Sequence, residues 1–132
     1  KLSDIKLPNN ITNPWSVIQS ANKTFIISHG NTEQQRVVEV NNEGKIIASF
    51  GGSRGCGLGQ LNTPAHIVLD SEERVLVADY GNDRILLLNR QLDTQLRVLI
   101  NWNNNVRPTS LFYDNETAQL IVSVTDRTRH AV

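Results

Sequence analysis

The amino-acid sequence predicts an all-β fold built from a repeated unit. Apolar runs rich in β-branched residues recur along the whole chain and are separated by turn clusters of Gly, Asn and Asp. Short strands with this punctuation are typical of an antiparallel meander. Three prolines, Pro14, Pro64 and Pro108, open similar segments that begin 50 and 44 residues apart. The apolar residues follow a period of two rather than the 3.6-residue period of a helix.

Ten apolar runs are predicted to form strands, because each run is short and is bounded by turn residues. In chain order the runs are Val17–Ile18, Phe25–Ile27, Val37–Val40, Ile46–Phe50, Ile67–Leu69, Val75–Ala78, Ile85–Leu88, Val98–Ile100, Leu111–Tyr113 and Leu120–Val124. Turns are expected between them, since Gly accepts a positive φ and Asn and Asp side chains bond nearby backbone amides. The turn clusters are Ser20–Asn22, Asn41–Gly44, Asp70–Glu73, Tyr80–Asp83 and Asp114–Glu116.

The repeated segments share one order of elements. After each proline come a strand, a polar turn and a second apolar strand, and then an arginine at a matching place, namely Arg36, Arg84 and Arg129. The approximate repeats are residues 13–51, 63–100 and 107–132. Their period fits a four-stranded β-propeller blade, for which about 40 to 45 residues is typical. A β-sandwich with accidental internal similarity is the alternative fold.

Two stretches of the chain resemble the NHL repeat. Residues 50–64 resemble the glycine-rich link that leads into such a repeat, and residues 75–85 resemble its core. In the first copy Ser28-His29-Gly30 stands where Asp79-Tyr80-Gly81 does, and in the third Val124 replaces the aspartate. The resemblance implies a β-propeller, typically six-bladed, that serves as a binding platform. The chain resembles the NHL domains of tripartite-motif and Brat-like proteins, which bind RNA or protein partners.

The predicted strands amount to about three blades, which is half of a six-bladed propeller. Ile5–Leu7 is expected to be the outer strand of a preceding blade, with residues 1–12 supplying that strand and a link. Two complete four-stranded antiparallel blades and the three inner strands of a third follow. An open blade edge is a template for pairing with another chain. Two hypotheses follow: the chain is a segment of a longer propeller, or two copies form a homodimer that closes a six-bladed ring.

Strand parity predicts which residues share a face. In an up-and-down blade, the links between blades and the turns between second and third strands lie at the same end. The residues expected to contact a ligand or partner there are His29, Arg54, Tyr80, Asn82, Trp102, Arg107 and Arg127. Asp79, Gly81 and Arg84 are instead expected to be structural, with Asp79 and Arg84 forming an ion pair across one hairpin.

The charges are predicted to be unequal between the two ends of the propeller. Six arginines against Glu33, Asp83 and Asp126 give the link end a charge of about +3, and the opposite end sums to about −3. Arginine beside Tyr or Trp can hold phosphates and stack on unpaired bases, but half of these arginines also have a structural interpretation. Protein binding is therefore the leading prediction for the partner class, and single-stranded RNA binding is the alternative.

The sequence predicts no catalytic residue, no metal site and no cofactor. The peptide-amidating lyases resemble this chain at the repeat level and bind metal through histidines directly after the blade-opening proline. This chain has Trp15, Ala65 and Thr109 at those positions. His66 lies one residue later, and one residue reverses the face of a strand. A metal-dependent lyase or hydrolase of propeller type is the less favoured hypothesis.

Amino-acid composition limits the class of protein and its cellular location only in broad terms. The chain has 132 residues, 13 Lys and Arg against 13 Asp and Glu, and one cysteine, Cys56. Neither a globally basic nucleic-acid binder nor an internal disulfide framework is predicted. No apolar run reaches the 18 residues of a membrane-spanning helix, so no membrane insertion is expected. The unpaired cysteine favours a cytoplasmic location, while Asn-X-Thr sequons at Asn10, Asn22 and Asn115 keep an extracellular one open.

Overall fold

A computed structural model describes residues 4–103 and 106–126 of the chain. The fold of these residues is all-β, as the sequence predicts, with one strand at each of the ten predicted runs. The strands are β1 (Ser16–Gln19), β2 (Phe25–Gly30), β3 (Gln34–Val40), β4 (Ile46–Ser53), β5 (Pro64–Leu69), β6 (Val75–Asp79), β7 (Arg84–Leu88), β8 (Gln95–Asn101), β9 (Val106–Asp114) and β10 (Gln119–Asp126). A 3-10 turn, Tyr80–Asn82, lies at the predicted turn between β6 and β7. Nowhere in these two ranges does the structure contain a helix that could span a membrane.

The described strands form three antiparallel sheets. Sheet 1 has the order β1-β2-β3-β4, sheet 2 the order β5-β6-β7-β8, and sheet 3 pairs β9 with β10. Each sheet is a meander, because short turns place neighbours in sequence beside one another in space. The expected third strand of the last repeat, with Arg127 and Arg129, lies outside the described residues.

The sheets stack face to face, and sheet 2 lies between the other two. In β6, Val75 and Val77 pack toward sheet 1, whereas Leu76 and Ala78 pack toward sheet 3. Alternate side chains of a strand point to opposite faces, so a strand that is covered on both faces is buried at every position. All five residues of β6 and all five of β7 are buried. This double burial explains why the second repeat carries the most continuous hydrophobic runs.

The first strands of the three sheets lie side by side. The N–H of Ile67 in β5 donates to Oγ of Ser16 in β1 over 3.4 Å, and the N–H of Leu111 in β9 donates to Nδ1 of His66 in β5 over 2.9 Å. Ser16 and His66 occupy the same repeat position, 50 residues apart. One side-chain position of the repeat therefore links each first strand to the next.

A charged pair joins sheet 1 to sheet 2 at the end opposite the links. Arg90, between β7 and β8, donates two hydrogen bonds to the carboxylate of Glu39 in β3, over 3.2 and 2.8 Å. Burial by itself raises the pKa of Glu39, but hydrogen bonds from Arg90 and Thr24 outweigh it and lower the pKa below its ordinary value. The carboxylate is therefore ionised at neutral pH and bridges the two sheets.

Residues 5–7 lie differently from the sequence prediction. They form none of the described strands, and Leu7 packs with Ile11 against the face of sheet 1 that points away from sheet 2. An outer strand needs a neighbouring strand for its hydrogen bonds, and the sheets of the described residues place none beside this segment. Its apolar side chains are half-buried, because they cover part of sheet 1.

Candidate binding surface

The links between sheets and the turns between second and third strands meet at one end of the stack. The N–H of Arg54 donates to the carbonyl of Glu33 over 3.1 Å, and the N–H of Trp102 donates to the carbonyl of Asp83 over 2.8 Å. We call this end the link face and define it by residues 10–15, 31–33, 54–63, 80–83, 102–103 and 106–107. One predicted contact residue, Arg127, lies outside the described residues.

Asp79 and Arg84 form a buried ion pair beneath the link face. They face each other across the β6–β7 hairpin, and Nε of Arg84 lies 2.8 Å from Oδ2 of Asp79. Burial raises the pKa of Asp79, and hydrogen bonds from the N–H of Asn62, from Asn82 and from Arg84 act in the opposite direction. These three donors satisfy the carboxylate from within the chain.

The same cluster fixes the glycine-rich link. Arg84 donates to the carbonyls of Cys56 and Gln60 over 3.2 and 2.8 Å, and Asn82 donates to the carbonyl of Gly55 over 2.8 Å. Asn82, predicted to contact a partner, thus holds the link in place with its amide.

Gly81 is needed at this point because the two chain segments come very close. A Cβ atom on Gly81 would lie 2.7 Å from the carbonyl oxygen of Asn62. The N–H of Gly81 donates to that same oxygen over 2.7 Å. Any larger residue would therefore push the turn away from the link.

His29 occupies the repeat position of Asp79. It faces Arg36 across the β2–β3 hairpin, as Asp79 faces Arg84. The sequence alignment of Ser28 with Asp79 is therefore wrong by one residue, because the segment between His29 and Arg36 is two residues longer than that between Asp79 and Arg84 and hides the register. His29 is fully buried. It belongs to the interior, and the prediction that it contacts a partner at the surface is wrong.

The His29 site contains two buried N–H donors, Nε2 of His29 and Nε of Arg36, and in the described part of the chain it has no carboxylate that could accept from them. Nδ1 of His29 accepts from the N–H of Thr12 over 3.2 Å, which assigns the proton of the neutral ring to Nε2. Within the described residues, neither Nε2 of His29 nor Nε of Arg36 has a hydrogen-bond partner, although both atoms are buried. Burial, and then the charge of Arg36, lower the pKa of His29. The imidazole is therefore neutral at pH 7.

Tyr80, Trp102 and Arg107 form a packed group where sheet 2 meets sheet 3. The guanidinium of Arg107 lies over the ring of Tyr80, 5.0 Å from its centroid, and its Nε lies 3.4 Å from Oδ1 of Asp83. Trp102 packs against the apolar cluster between the two sheets. The structure therefore brings these three predicted contact residues together, but it engages much of their surface within the chain.

A second group of residues, on the link face and at the adjoining strand ends, surrounds an open depression of about 460 Å³. Its walls consist of an exposed indole, an exposed guanidinium and several amide or hydroxyl groups, namely those of Asn13, Trp15, Asn31, Thr32, Gln35 and Arg54, together with the backbone of Gly30. The side chain of Trp15 is 39% exposed. Arg54 is the predicted contact residue that lies here. The structure adds Trp15 and the amide side chains, which the sequence did not predict to contact a partner.

The walls of the depression are held by local hydrogen bonds. Oδ1 of Asn31 accepts from the N–H groups of Glu33 and Gln34, both over 2.8 Å. Oε1 of Gln35 accepts from the N–H of Thr63 over 2.8 Å, and Nδ2 of Asn13 donates to the carbonyl of Gly30 over 3.2 Å. These bonds fix the loops around Trp15 before any partner arrives.

One signal in the sequence could have identified Trp15. It directly follows the blade-opening Pro14, where the other repeats have Ala65 and Thr109. Because the other repeats have small residues at this position, the fold of the repeat does not require a large aromatic residue there. Its closeness to Arg54, 39 positions later, depends on how the links fold and is not visible in the sequence.

The described residues contain no group of three or more His, Cys, Asp or Glu side chains arranged to hold a metal ion. Cys56 is exposed on the link, with a free thiol. His66 is engaged with sheet 3 through Leu111. The third histidine, His130, lies outside the described residues.

No protein-family model matches the chain, and the comparison with curated proteins finds a similar sequence. The chain is similar to NHL repeat-containing protein 3 from Homo sapiens, with 26% identity over 129 residues. The match covers 95% of this chain and 36% of that protein, so the chain spans about a third of the length of this curated relative. The likeness supports an NHL-like repeat, in agreement with the motifs in residues 50–64 and 75–85.

Structural comparison addresses the fold alone. The crystal structure of a protein of unknown function from Bacteroides caccae matches with a TM-score of 0.59 and 11% sequence identity. The match covers 90% of this chain and 40% of that chain. The fold is propeller-like. Stacked antiparallel sheets with adjacent first strands are the features of this chain that such a fold requires.

Proposed function

We propose that this chain is a non-catalytic recognition scaffold that binds protein partners through its link face. The observation that carries the proposal is the depression around Trp15 and Arg54, where an exposed indole and an exposed guanidinium share one concave surface. The similarity to an NHL repeat-containing protein is compatible with a scaffold role. The binding of proteins rests on the chemistry of the depression.

The composition of the depression suits an extended peptide segment. Tryptophan and arginine are enriched among the residues that dominate protein interfaces. Oδ1 of Asn13 and Nδ2 of Asn31, which the bonds within the loops do not use, can accept from and donate to a peptide backbone. Arg54 adds a positive charge, so we expect the bound segment to carry an acidic residue that pairs with it.

The fixed loops around the depression favour binding energetically. A loop that is already held by hydrogen bonds loses little conformational entropy when a partner binds. The turn at Asn31 and the contact of Gln35 with Thr63 supply this order on two sides of Trp15. A flexible loop of the same composition would bind more weakly.

Selection from a displayed random peptide library on the immobilised wild-type chain tests the proposal. The enriched peptides are synthesised and their Kd values are measured by fluorescence anisotropy. Trp15→Ala and Arg54→Ala are each expected to weaken binding by about tenfold or more, as for a residue at the centre of an interface. Ile47→Ala and Lys45→Ala, exposed positions away from the link face, are matched controls that should leave Kd unchanged.

Two results would contradict protein binding at this surface. One is a selection that enriches no peptide with measurable affinity. The other is a set of binders that respond to Ile47→Ala or Lys45→Ala but not to Trp15→Ala and Arg54→Ala. Circular dichroism of each variant separates loss of binding from loss of folding.

Single-stranded RNA is the second candidate, because an exposed indole beside an arginine can also stack a base and hold a phosphate. Two of the arginines counted in the sequence, Arg84 and Arg107, form ion pairs within the chain, which reduces the charge available to phosphates. Anisotropy with a labelled single-stranded oligonucleotide at several salt concentrations decides between the candidates. RNA affinity that falls steeply with salt and is lost in Arg54→Ala would replace the protein proposal.

A further inference from the structure

Residues at equivalent positions of the repeat face the same way in each sheet, so the repeat predicts which face of a sheet packs on a neighbouring sheet. In sheet 2, Ile67, Val75 and Val77 pack toward sheet 1. The equivalent residues of sheet 3, which are Leu111, Leu120 and Val122, pack toward sheet 2. The equivalent residues of sheet 1 are Val17, Phe25 and Ile27, which lie on the face that points away from sheet 2. By position, this face is built to receive another sheet of the same repeat.

That face of sheet 1 contains an apolar groove of about 230 Å³. Its lining is formed by Ile5, Leu7, Val17, Phe25, Ile27 and Val40. Val17 is 61% exposed, whereas its equivalents Ile67 and Leu111 are 0% and 5% exposed. Three of the lining residues, Val17, Phe25 and Ile27, hold the repeat positions through which sheets 2 and 3 pack on the preceding sheet. The residues from the N-terminal segment form one wall of the groove without filling it.

Sheet 3 presents the complementary half of the same contact. Phe112 and Ile121 are 59% and 58% exposed. Their equivalents in sheet 2, Val68 and Leu76, pack against sheet 3. Phe112 therefore occupies the position that, between sheets 2 and 3, contacts the equivalents of the groove residues.

On sheet 3, the side-chain position that links one first strand to the next has no following first strand beside it among the described residues. Ser110 holds the repeat position of Ser16 and His66, whose side chains accept the N–H of the next sheet. Ser110 is exposed, and its hydroxyl contacts Ser123 of the same sheet over 2.7 Å. A further sheet placed here would present the residue equivalent to Ile67 and Leu111, which is Val17.

We propose that two copies of this chain associate head to tail, with sheet 3 of each copy packed on sheet 1 of the other. Phe112 of one copy enters the groove beside Val17 and Phe25 of the second copy, and Ser110 approaches the N–H of Val17. The contact continues the arrangement by which sheets 1, 2 and 3 already stack. It is heterologous, and two such contacts between two copies close a ring.

Light scattering across a concentration series tests the association without any ligand. The wild-type chain is expected to reach twice its monomer mass of 14.8 kDa. Phe112→Lys and Val17→Glu are each expected to return the mass to that of the monomer, because each places a charge in an apolar contact. Leu58→Lys is the matched control, since Leu58 is 86% exposed on the link and lies on neither sheet face. Circular dichroism verifies that each variant is folded.

Mixing the two monomeric variants tests the head-to-tail geometry. A pair made of one Phe112→Lys copy and one Val17→Glu copy keeps one wild-type contact and gains one lysine–glutamate contact. The mixture is therefore expected to regain the doubled mass, which neither variant reaches alone. An interface that uses the same patch on both copies would not be restored in this way.

Three results would overturn the proposal. They are a wild-type chain that stays monomeric at every concentration, a dimer that survives both Phe112→Lys and Val17→Glu, and folded variants whose mixture stays monomeric. The first result would leave the two faces to sheets outside this chain. The peptide-binding experiment on Trp15 and Arg54 is read separately, so either proposal can fail without the other.

Discussion

At the residue scale, His29 marks a departure of the first repeat from the second. It faces Arg36 as Asp79 faces Arg84, and Thr12 donates to it as Asn62 donates to Asp79. The backbone geometry of the two sites is thus the same. Only the second repeat has a carboxylate there, and the first repeat brings two buried donors together instead.

Restoring the carboxylate is expected to stabilise the chain. In His29→Asp, one oxygen would accept from the N–H of Thr12 and the other from Nε of Arg36, which has no partner among the described residues. Hydrogen bonds to charged groups contribute about 1.5–3 kcal/mol each, and burying a carboxylate opposes part of that gain. We expect the free energy of unfolding at neutral pH to rise by about 1–2 kcal/mol in urea denaturation.

The control for this prediction removes the cation. In an Arg36→Leu background the same substitution should lose its benefit, since an unpaired buried carboxylate is unfavourable. If His29→Asp lowers stability with Arg36 in place, the equivalence of the two sites is refuted.

At the element scale, the glycine-rich link between β4 and β5 owes its position to the β6–β7 hairpin. Arg84 donates to two of its carbonyls and Asn82 to a third. Leu61 anchors the end of the link in the core between sheets 1 and 2, whereas Leu58 is 86% exposed. Polar contacts to the neighbouring hairpin therefore hold residues 55–60, which bury no large apolar side chain.

Removing Arg84 is expected to damage both the hairpin and the link. Arg84→Ala leaves Asp79 buried without its cation, and breaking a buried pair in this way costs about 3–5 kcal/mol. Urea denaturation measures the loss, and hydrogen exchange should show faster exchange at residues 55–61.

Arg36→Ala is the matched control, because Arg36 holds the same position in the first repeat but faces a histidine. Its guanidinium donates to the carbonyl of Asn10 over 3.1 Å, and no carboxylate is left unpaired by its removal. We expect a clearly smaller loss than for Arg84→Ala. Equal losses in the two variants would show that the Asp79 carboxylate does not dominate the effect.

At the scale of the whole molecule, the stacked sheets are joined by apolar clusters and by a few specific polar contacts. Glu39 and Arg90 connect sheets 1 and 2 at one end, while the contact of His66 with Leu111 connects the first strands of sheets 2 and 3. Two of the structural acceptors, His29 and His66, are imidazoles. Stability is therefore expected to depend on pH in the range where histidine titrates.

Acid is expected to destabilise the chain in the pH range where its histidines titrate. Burial lowers the pKa of His66, and burial together with Arg36 lowers the pKa of His29, from the ordinary 6.5. The unfolded chain therefore binds protons near pH 6.5 that the folded chain does not. The free energy of unfolding should fall as the pH is lowered below 6.5, by up to about 1.4 kcal/mol per pH unit for each histidine.

Urea denaturation between pH 7.5 and 5.5 measures this dependence. The double variant His29→Asp, His66→Ser removes both imidazoles and keeps an acceptor at each place, as Asp79 and Ser16 show in the other repeats. Its stability should vary less with pH across the window than that of the wild type. An unchanged slope would assign the dependence to other groups.

The sequence by itself determined the all-β fold, the ten strands and the repeat. These follow from alternation of apolar residues and from the turn preferences of Gly, Asn and Asp, which act between neighbours in the chain. Sequence also placed Asp79 and Arg84 on facing strands, because a short hairpin fixes its own register.

Only the tertiary structure decided which polar residues reach the surface. His29 is buried and Trp15 is exposed, and Ile5–Leu7 covers sheet 1 without forming a strand. Each of these outcomes depends on how links from different repeats pack over the sheets. Such contacts join residues that are far apart in sequence, so no local pattern of residue types encodes them. The depression between Trp15 and Arg54 exists for the same reason.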